Sequence, residues 1–196
     1  MKYFIIFVCA VTVSQFNYAQ KISVDKFNGQ RIEITKQSMI VVGSWGAANL
    51  IYSGALVGAS RGSNKYFYEM NLIWGGVNFS LGCIGYLLSK NTHDLSYAES
   101  LKKQMTVEKI FLFNTGLDVA YVAGGFYLKE RSNNNSKNIE RNKGYGESII
   151  LQGSSLFIFD GLMYLIHKNH GKKLYRLLDN LKIGATGNGI ACIIKL

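Results

Sequence analysis

The sequence predicts an all-α membrane protein, an antiparallel bundle of four transmembrane helices with an N-terminal signal peptide and a short C-terminal β-hairpin. Three observations carry that expectation. Four stretches, 39–59, 67–89, 107–128 and 147–167, are each long enough to cross the ~30 Å hydrocarbon layer as a helix rising ~1.5 Å per residue. Charged residues make up 17% of the chain and lie almost entirely between those stretches, a distribution typical of bilayer-spanning chains and hidden by averaged hydropathy. No proline occurs in the 196 residues, so the usual cause of a kink is missing.

Residues 1–19 read as the signal peptide. Lys2 supplies the positive start, Tyr3 to Val13 the short apolar run, and Asn17-Tyr18-Ala19 the exit, with cleavage after Ala19. Cys9 lacks the small-residue setting of a lipid attachment site. Cleavage leaves residues 20–196 as a single four-helix membrane domain with two cysteines, Cys83 and Cys192, which form neither a disulfide framework nor a zinc pattern. Positions 21–38 are polar, and the alternation Arg31-Ile32-Glu33-Ile34-Thr35 suits either a strand or an interfacial helix.

The first span places Trp45, Asn49, Tyr52, Ser53 and Leu56 on one face at helical spacing, with Gly54-x-x-x-Gly58 beside them for close helix approach. Only a few polar residues, 61–65, separate it from the second span, so the two form a hairpin. The second span repeats the pattern with Asn71, Trp74, Asn78, Gly82 and Gly85. Trp45-Gly46-x-x-Asn49 and Trp74-Gly75-x-x-Asn78 are thus two copies of W-G-x-x-N facing each other in inverted orientation, an arrangement also seen in transporters and equally explained by small-residue packing.

Residues 90–106 read as a polar connection able to hold a short amphipathic surface helix. The third span presents Asn114, Asp118, Tyr121 and Gly125 on one face and Gly116-x-x-x-Ala120-x-x-x-Gly124 on another. Residues 129–143, rich in Lys, Arg, Asn and Ser, read as a flexible loop. In the fourth span Gln152, Leu156, Asp160, Met163 and His167 share a narrow face. Positions 168–182 are basic and amphipathic and suit the headgroup layer. Two short strands about Gly187-Asn188 would form a hairpin over 182–194.

A net charge of +10 suggests nucleic acid at first, but the 22 Lys and Arg are spread over every connection without a basic helix or an aromatic RNA-binding motif. Anionic lipid headgroups are the expected partner, with a homo-oligomer or an envelope assembly partner beside them and no nucleic acid. The signal peptide puts 129–143 on the cytoplasmic side, whereas Lys and Arg are more numerous in the segments this assigns to the outside, against the positive-inside tendency.

Asp118 and Asp160 are the acids set deep in spans, where an unpaired charge costs roughly 2.5–3.5 kcal/mol. Lys and Arg are missing at matching depth, so at least one aspartate is expected to be uncharged and both to lean on neighbouring amides. Asn49, Asn71, Asn78, Asn114, Asp118, Gln152 and Asp160 are therefore the candidate binding cluster. His167-x-x-His170, with His93, is a weak metal pattern, since histidines at a helix end are favoured by the dipole alone. No nucleophile elbow, H-E-x-x-H helix or phosphate loop is present. No catalytic residue, metal or cofactor is expected.

The stretches GSWGAANLIYSG, FYEMNLIWGGVNFSLG, FNTGLDVAYVAGGFYL and GYGESIILQGSSLFIFDGLMYL resemble an uncharacterised family of small bacterial four-helix membrane proteins, a domain of unknown function, over roughly residues 28–168. The resemblance implies the fold and a place in the bacterial inner membrane. It carries no activity. The expected role is a non-enzymatic membrane scaffold or a binder of small ligands or lipids in the cell envelope. The alternative is a small cation- or proton-coupled transporter or channel subunit using Asp118 and Asp160.

Overall fold

The computed structural model describes residues 2–90, 94–133, 138–179, 181–186 and 189–194, with side chains described for 24–90, 94–133 and 138–176. Four helices dominate: α1 (Lys2–Val57), α2 (Gly62–Leu88), α3 (Tyr97–Asn133) and α4 (Ile139–Asp179). Three contain a stretch long and apolar enough to cross a membrane, Val24–Val57, Gly62–Leu88 and Ile139–Arg176. In α3 the apolar run is broken by Asn114, Thr115 and Asp118. Two strands follow, β1 (Leu181–Thr186) and β2 (Gly189–Ile194), paired antiparallel with Ile183 opposite Cys192. Positions 187–188, where the turn was expected, lie outside the described residues.

The helices pair as two antiparallel hairpins, α1 with α2 and α3 with α4, and the hairpins join chiefly along α2 and α4. Glycine sets both seams. A Cβ on Gly46 would sit 2.8 Å from the Gly75 carbonyl oxygen, and one on Gly75 3.0 Å from the Gly46 carbonyl oxygen. The glycines of the two W-G-x-x-N copies are therefore the crossing point of α1 and α2. Across the other seam, a Cβ on Gly125 would meet the Gly146 carbonyl at 2.9 Å, and one on Gly146 the Gly125 carbonyl at 2.7 Å. The expected approach motif Gly54-x-x-x-Gly58 does not serve: nothing lies within 4 Å of a Cβ on Gly58, and Gly54 meets only a Leu72 methyl at 3.9 Å; Gly116 and Gly124 likewise meet nothing within 4 Å. Periodicity placed them on a face but could not say that the face turns outward.

The usual partition of polar and apolar residues is reversed. Asn28, Asn71, Asn78, Asp118, Gln152 and His167 are buried, whereas Ile51 and Leu88 are each 74% exposed and Phe113 67%. Water would penalise that outside, and hydrocarbon would not.

Several connections differ from expectation. Residues 21–38 belong to α1 because Val24, Phe27, Asn28, Arg31 and Ile32 recur at helical spacing and bury one stripe. That stripe meets the start of α3, where Asn28 donates to Ser100 Oγ at 2.8 Å, and the end of α4, where Phe27 stacks on His170 with ring centroids 4.3 Å apart. Residues 97–106 form the first turns of α3 rather than a separate surface helix. Ser96 caps that helix: its N–H and hydroxyl donate to Glu99 Oε2 at 2.9 and 2.7 Å, and the Glu99 N–H donates to Ser96 Oγ at 3.2 Å. This is the reciprocal capping box, and the Ser96 hydroxyl, followed by its N–H, holds the Glu99 carboxyl below its ordinary range.

Most of 129–143 is likewise helical, since α3 continues to Asn133 and α4 begins at Ile139, with 134–137 outside the described residues. The basic stretch from 168 continues α4. Its His170, Gly171 and Leu174 are buried against α1 and α3, with Tyr97 donating to the Leu174 carbonyl at 3.1 Å, while Lys172, Lys173, Tyr175 and Arg176 stay exposed on the other face. The signal-peptide region 2–19 is part of α1, which runs on through Ala19.

Candidate functional site

The seven candidate residues fall into two groups rather than one. The first is a hydrogen-bonded knot around Gln152 of α4. Its Nε2 donates to Asn49 Oδ1 of α1 at 2.7 Å and to Asn71 Oδ1 of α2 at 2.6 Å. Its Oε1 accepts from the Trp45 indole N–H at 2.9 Å. Ser148, one turn earlier on α4, donates to Asn71 Oδ1 at 2.9 Å, and Asn49 returns its own amide to the Trp45 carbonyl at 2.8 Å. Three helices are thereby joined through one side chain. Both polar atoms of the Gln152 amide are engaged, as a buried amide requires, so this group has little capacity left for a ligand.

The second group is Asn78, Asn114, Asp118 and Asp160, which line a cavity of about 390 Å³ contributed to by all four helices. Its walls are otherwise apolar and aromatic, including Val42, Phe111, Leu156 and Phe159, with Trp74 and Tyr121 meeting edge to face at 5.0 Å. Asp118 on α3 and Asp160 on α4 line the same cavity, close enough for each carboxyl to act on the other. A carboxylate oxygen only accepts, so a hydrogen bond between them requires the pair to hold a proton. Asn78 Nδ2 and Asp118 Oδ2 are buried without a hydrogen-bond partner, although buried polar atoms nearly always have one. Both atoms are themselves covered, so they are unsatisfied groups beside the cavity rather than groups open to it. A larger groove of about 480 Å³ between α3 and α4 is lined by Val119, Val122, Phe126, Phe157 and similar residues with only Ser154 polar, and holds no comparable chemistry.

Placement of the remaining expected residues is mixed. Tyr52, expected inward beside Asn49, is 60% exposed and instead meets Tyr68 edge to face at 5.8 Å. Tyr121 lines the cavity, as its face suggested, and Ser53 is buried. Sequence reading missed a third polar layer at the end of the bundle near Ser96. There Arg31 donates to the Ser100 carbonyl at 3.3 Å, and Gln104 donates to Glu108 Oε1 at 2.9 Å and to the His167 carbonyl at 2.7 Å. The helical stripe in 24–32 is the signal that could have found it. His167 is fully buried with both ring nitrogens unpartnered, stacked on Phe111 at 5.4 Å. Among the described residues no three His, Cys, Asp or Glu side chains converge on a metal position, and His93 lies outside the described residues.

The chain matches none of the curated proteins and none of the solved structures. Residues 41–161, from the α1 face that carries Trp45 through the acid of α4, match the profile of a family of unknown function, DUF6992, and the chain belongs to that family.

Proposed function

We propose that this is a non-enzymatic, multi-pass protein of the bacterial inner membrane that binds a small ligand or lipid between its helices, with the Gln152 knot as its scaffold. In this reading α3 is a fourth span beside the three apolar helices. Its outward Ile110, Leu112, Phe113 and Phe126 continue the apolar exterior that lipid requires. Residues 1–19 act as an export signal. Lipids are the surrounding partner, and a second copy or an envelope protein is the assembly partner.

The observation that carries the ligand reading is the 390 Å³ cavity whose otherwise apolar walls carry Asn78, Asn114, Asp118 and Asp160. Small-molecule sites are concave, mostly apolar and provided with a few converging polar groups, at ~300–1,000 Å³. A pure scaffold has no use for that space. Its test is native mass spectrometry of the full chain released from mild detergent. A retained small molecule is expected in the wild type and should be lost in Leu156→Trp, which fills the cavity from α4. If the wild type carries none and tolerates the tryptophan without change in melting temperature, the cavity is only a packing gap.

The nearness of Asp118 to Asp160 favours one second reading, a proton- or cation-coupled transporter subunit. Four helices leave little room for a continuous path, so that reading requires an oligomer. Purified protein in liposomes that shows neither uptake nor conductance removes it.

A further inference from the structure

We infer that the ligand of the Asp118–Asp160 cavity is an organic ammonium ion with an apolar body, an inference that rests on the ligand-binding reading above. Charge selects the sign. Of the seventeen lining residues two are acids and none is Lys, Arg or His. Two carboxyls that act on each other share one proton and so keep one negative charge between them, as in paired-carboxyl sites generally. A monocation neutralises that charge, an anion would be repelled, and a neutral ligand would leave it uncompensated in a low-dielectric site.

Size selects an organic ion over a metal ion. The cavity, at about 390 Å³, has room for roughly a dozen waters at ~30 Å³ each. A hard cation instead favours several carboxylate oxygens closing round it at about 2.3–2.6 Å, whereas among the described residues no third His, Cys, Asp or Glu joins the two acids. Shape agrees. Trp74, Tyr121 and Phe159 supply aromatic rings, of the kind that attracts an ammonium group through the ring quadrupole, and Val42 and Leu156 supply the apolar wall for the rest of the molecule. The Asp118–Asp160 pair supplies the acceptor for its N–H groups.

The experiment compares three probes of equal chain length, octylamine, octanol and octanoate, on the full chain in mild detergent, read by Trp74 fluorescence and by melting temperature. Octylamine should bind at least tenfold more tightly than octanol, with octanoate undetected. In the double variant Asp118→Asn, Asp160→Asn the advantage of the amine over octanol should vanish. The wild-type comparison stands without any variant, so misfolding of the double variant does not remove the test. Octanol or octanoate matching the amine overturns the ammonium assignment but leaves the pocket intact. An amine preference that persists in the double variant overturns it too, because the amine then sits elsewhere. Failure of all three probes overturns the pocket reading along with it.

Discussion

The indole N–H of Trp45 on α1 donates to Oε1 of Gln152 on α4 at 2.9 Å, tying together two helices that otherwise touch sparingly. The same glutamine holds Asn49 and Asn71. Removing it strands an acceptor and a donor on α1 in one step and leaves the Asn71 acceptor with Ser148 alone. Hydrogen bonds between membrane helices average ~0.6 kcal/mol, but leaving a buried partner unsatisfied costs ~1–3 kcal/mol. Gln152→Leu should therefore destabilise the bundle by about 2 kcal/mol and Trp45→Phe by about half that. Reversible unfolding in mixed micelles measures both, and a Gln152→Leu protein as stable as wild type would show that the knot contributes nothing net.

Glycine substitutions should separate the seams that form from the motifs that only look like seams. A Cβ on Gly46 would press on the backbone of α2, and one on Gly82 would lie 2.8 Å from the Met39 carbonyl oxygen. Backbone cannot swing aside as a side chain can. Gly46→Ala and Gly82→Ala should each cost ~1–3 kcal/mol by overpacking. Gly58→Ala, Gly116→Ala and Gly124→Ala meet open space and should be neutral or slightly stabilising, since alanine loses less freedom on entering a helix. Equal losses across both sets would mean that α1 and α2 do not cross at Gly46.

These glycines mark where sequence reading ran out. Helix existence was legible from the length of the apolar runs and the lack of proline, and the inward faces bearing Asn49, Asn78, Asp118 and Asp160 were legible from spacing. A small residue, however, reports only that close approach is possible. Whether a partner arrives depends on the rotation of the neighbouring helix, which a single helix does not encode. Tyr52 failed for a related reason: it lies three residues from Asn49, about 60° around the axis, far enough to pass from interior to exterior. The division of the amides was illegible too. Which of them meets Gln152 and which faces empty space is decided by depth across helices, and depth follows from the Gly46–Gly75 crossing.

The capping box at the start of α3 predicts a pH dependence. Glu99 has its carboxyl held below the ordinary value by the Ser96 hydroxyl and N–H. The bonded carboxylate therefore contributes stability that is fully present above the unfolded value, about 4.3, and is lost as pH falls through the lower folded value. Hydrogen exchange at the first turns of α3 should speed up in wild type relative to Glu99→Gln as pH is lowered from 6 to 3. Ser96→Ala should remove that difference. Parallel profiles for wild type and Glu99→Gln would show that the box does not hold in solution.

Asp118 and Asp160 give the prediction that separates the functional readings. Each Asn replacement keeps the shape and a hydrogen-bonding group while removing a charge that costs roughly 2.5–3.5 kcal/mol when unpaired at mid-bilayer. Asp118→Asn and Asp160→Asn should therefore express normally, with melting temperatures equal to or above wild type. A bound ligand stabilises by RT ln(1 + [L]/Kd), so a metal-coupled transporter must show a rise in melting temperature with its ion. The wild type should instead be insensitive to Na⁺, K⁺, Ca²⁺ and Mg²⁺, because among the described residues no third His, Cys, Asp or Glu joins Asp118 and Asp160 to close round a hard cation. A rise with one of these salts that disappears in either Asn variant would make the acids a metal-ion site and put the transporter ahead of the ligand-binding protein.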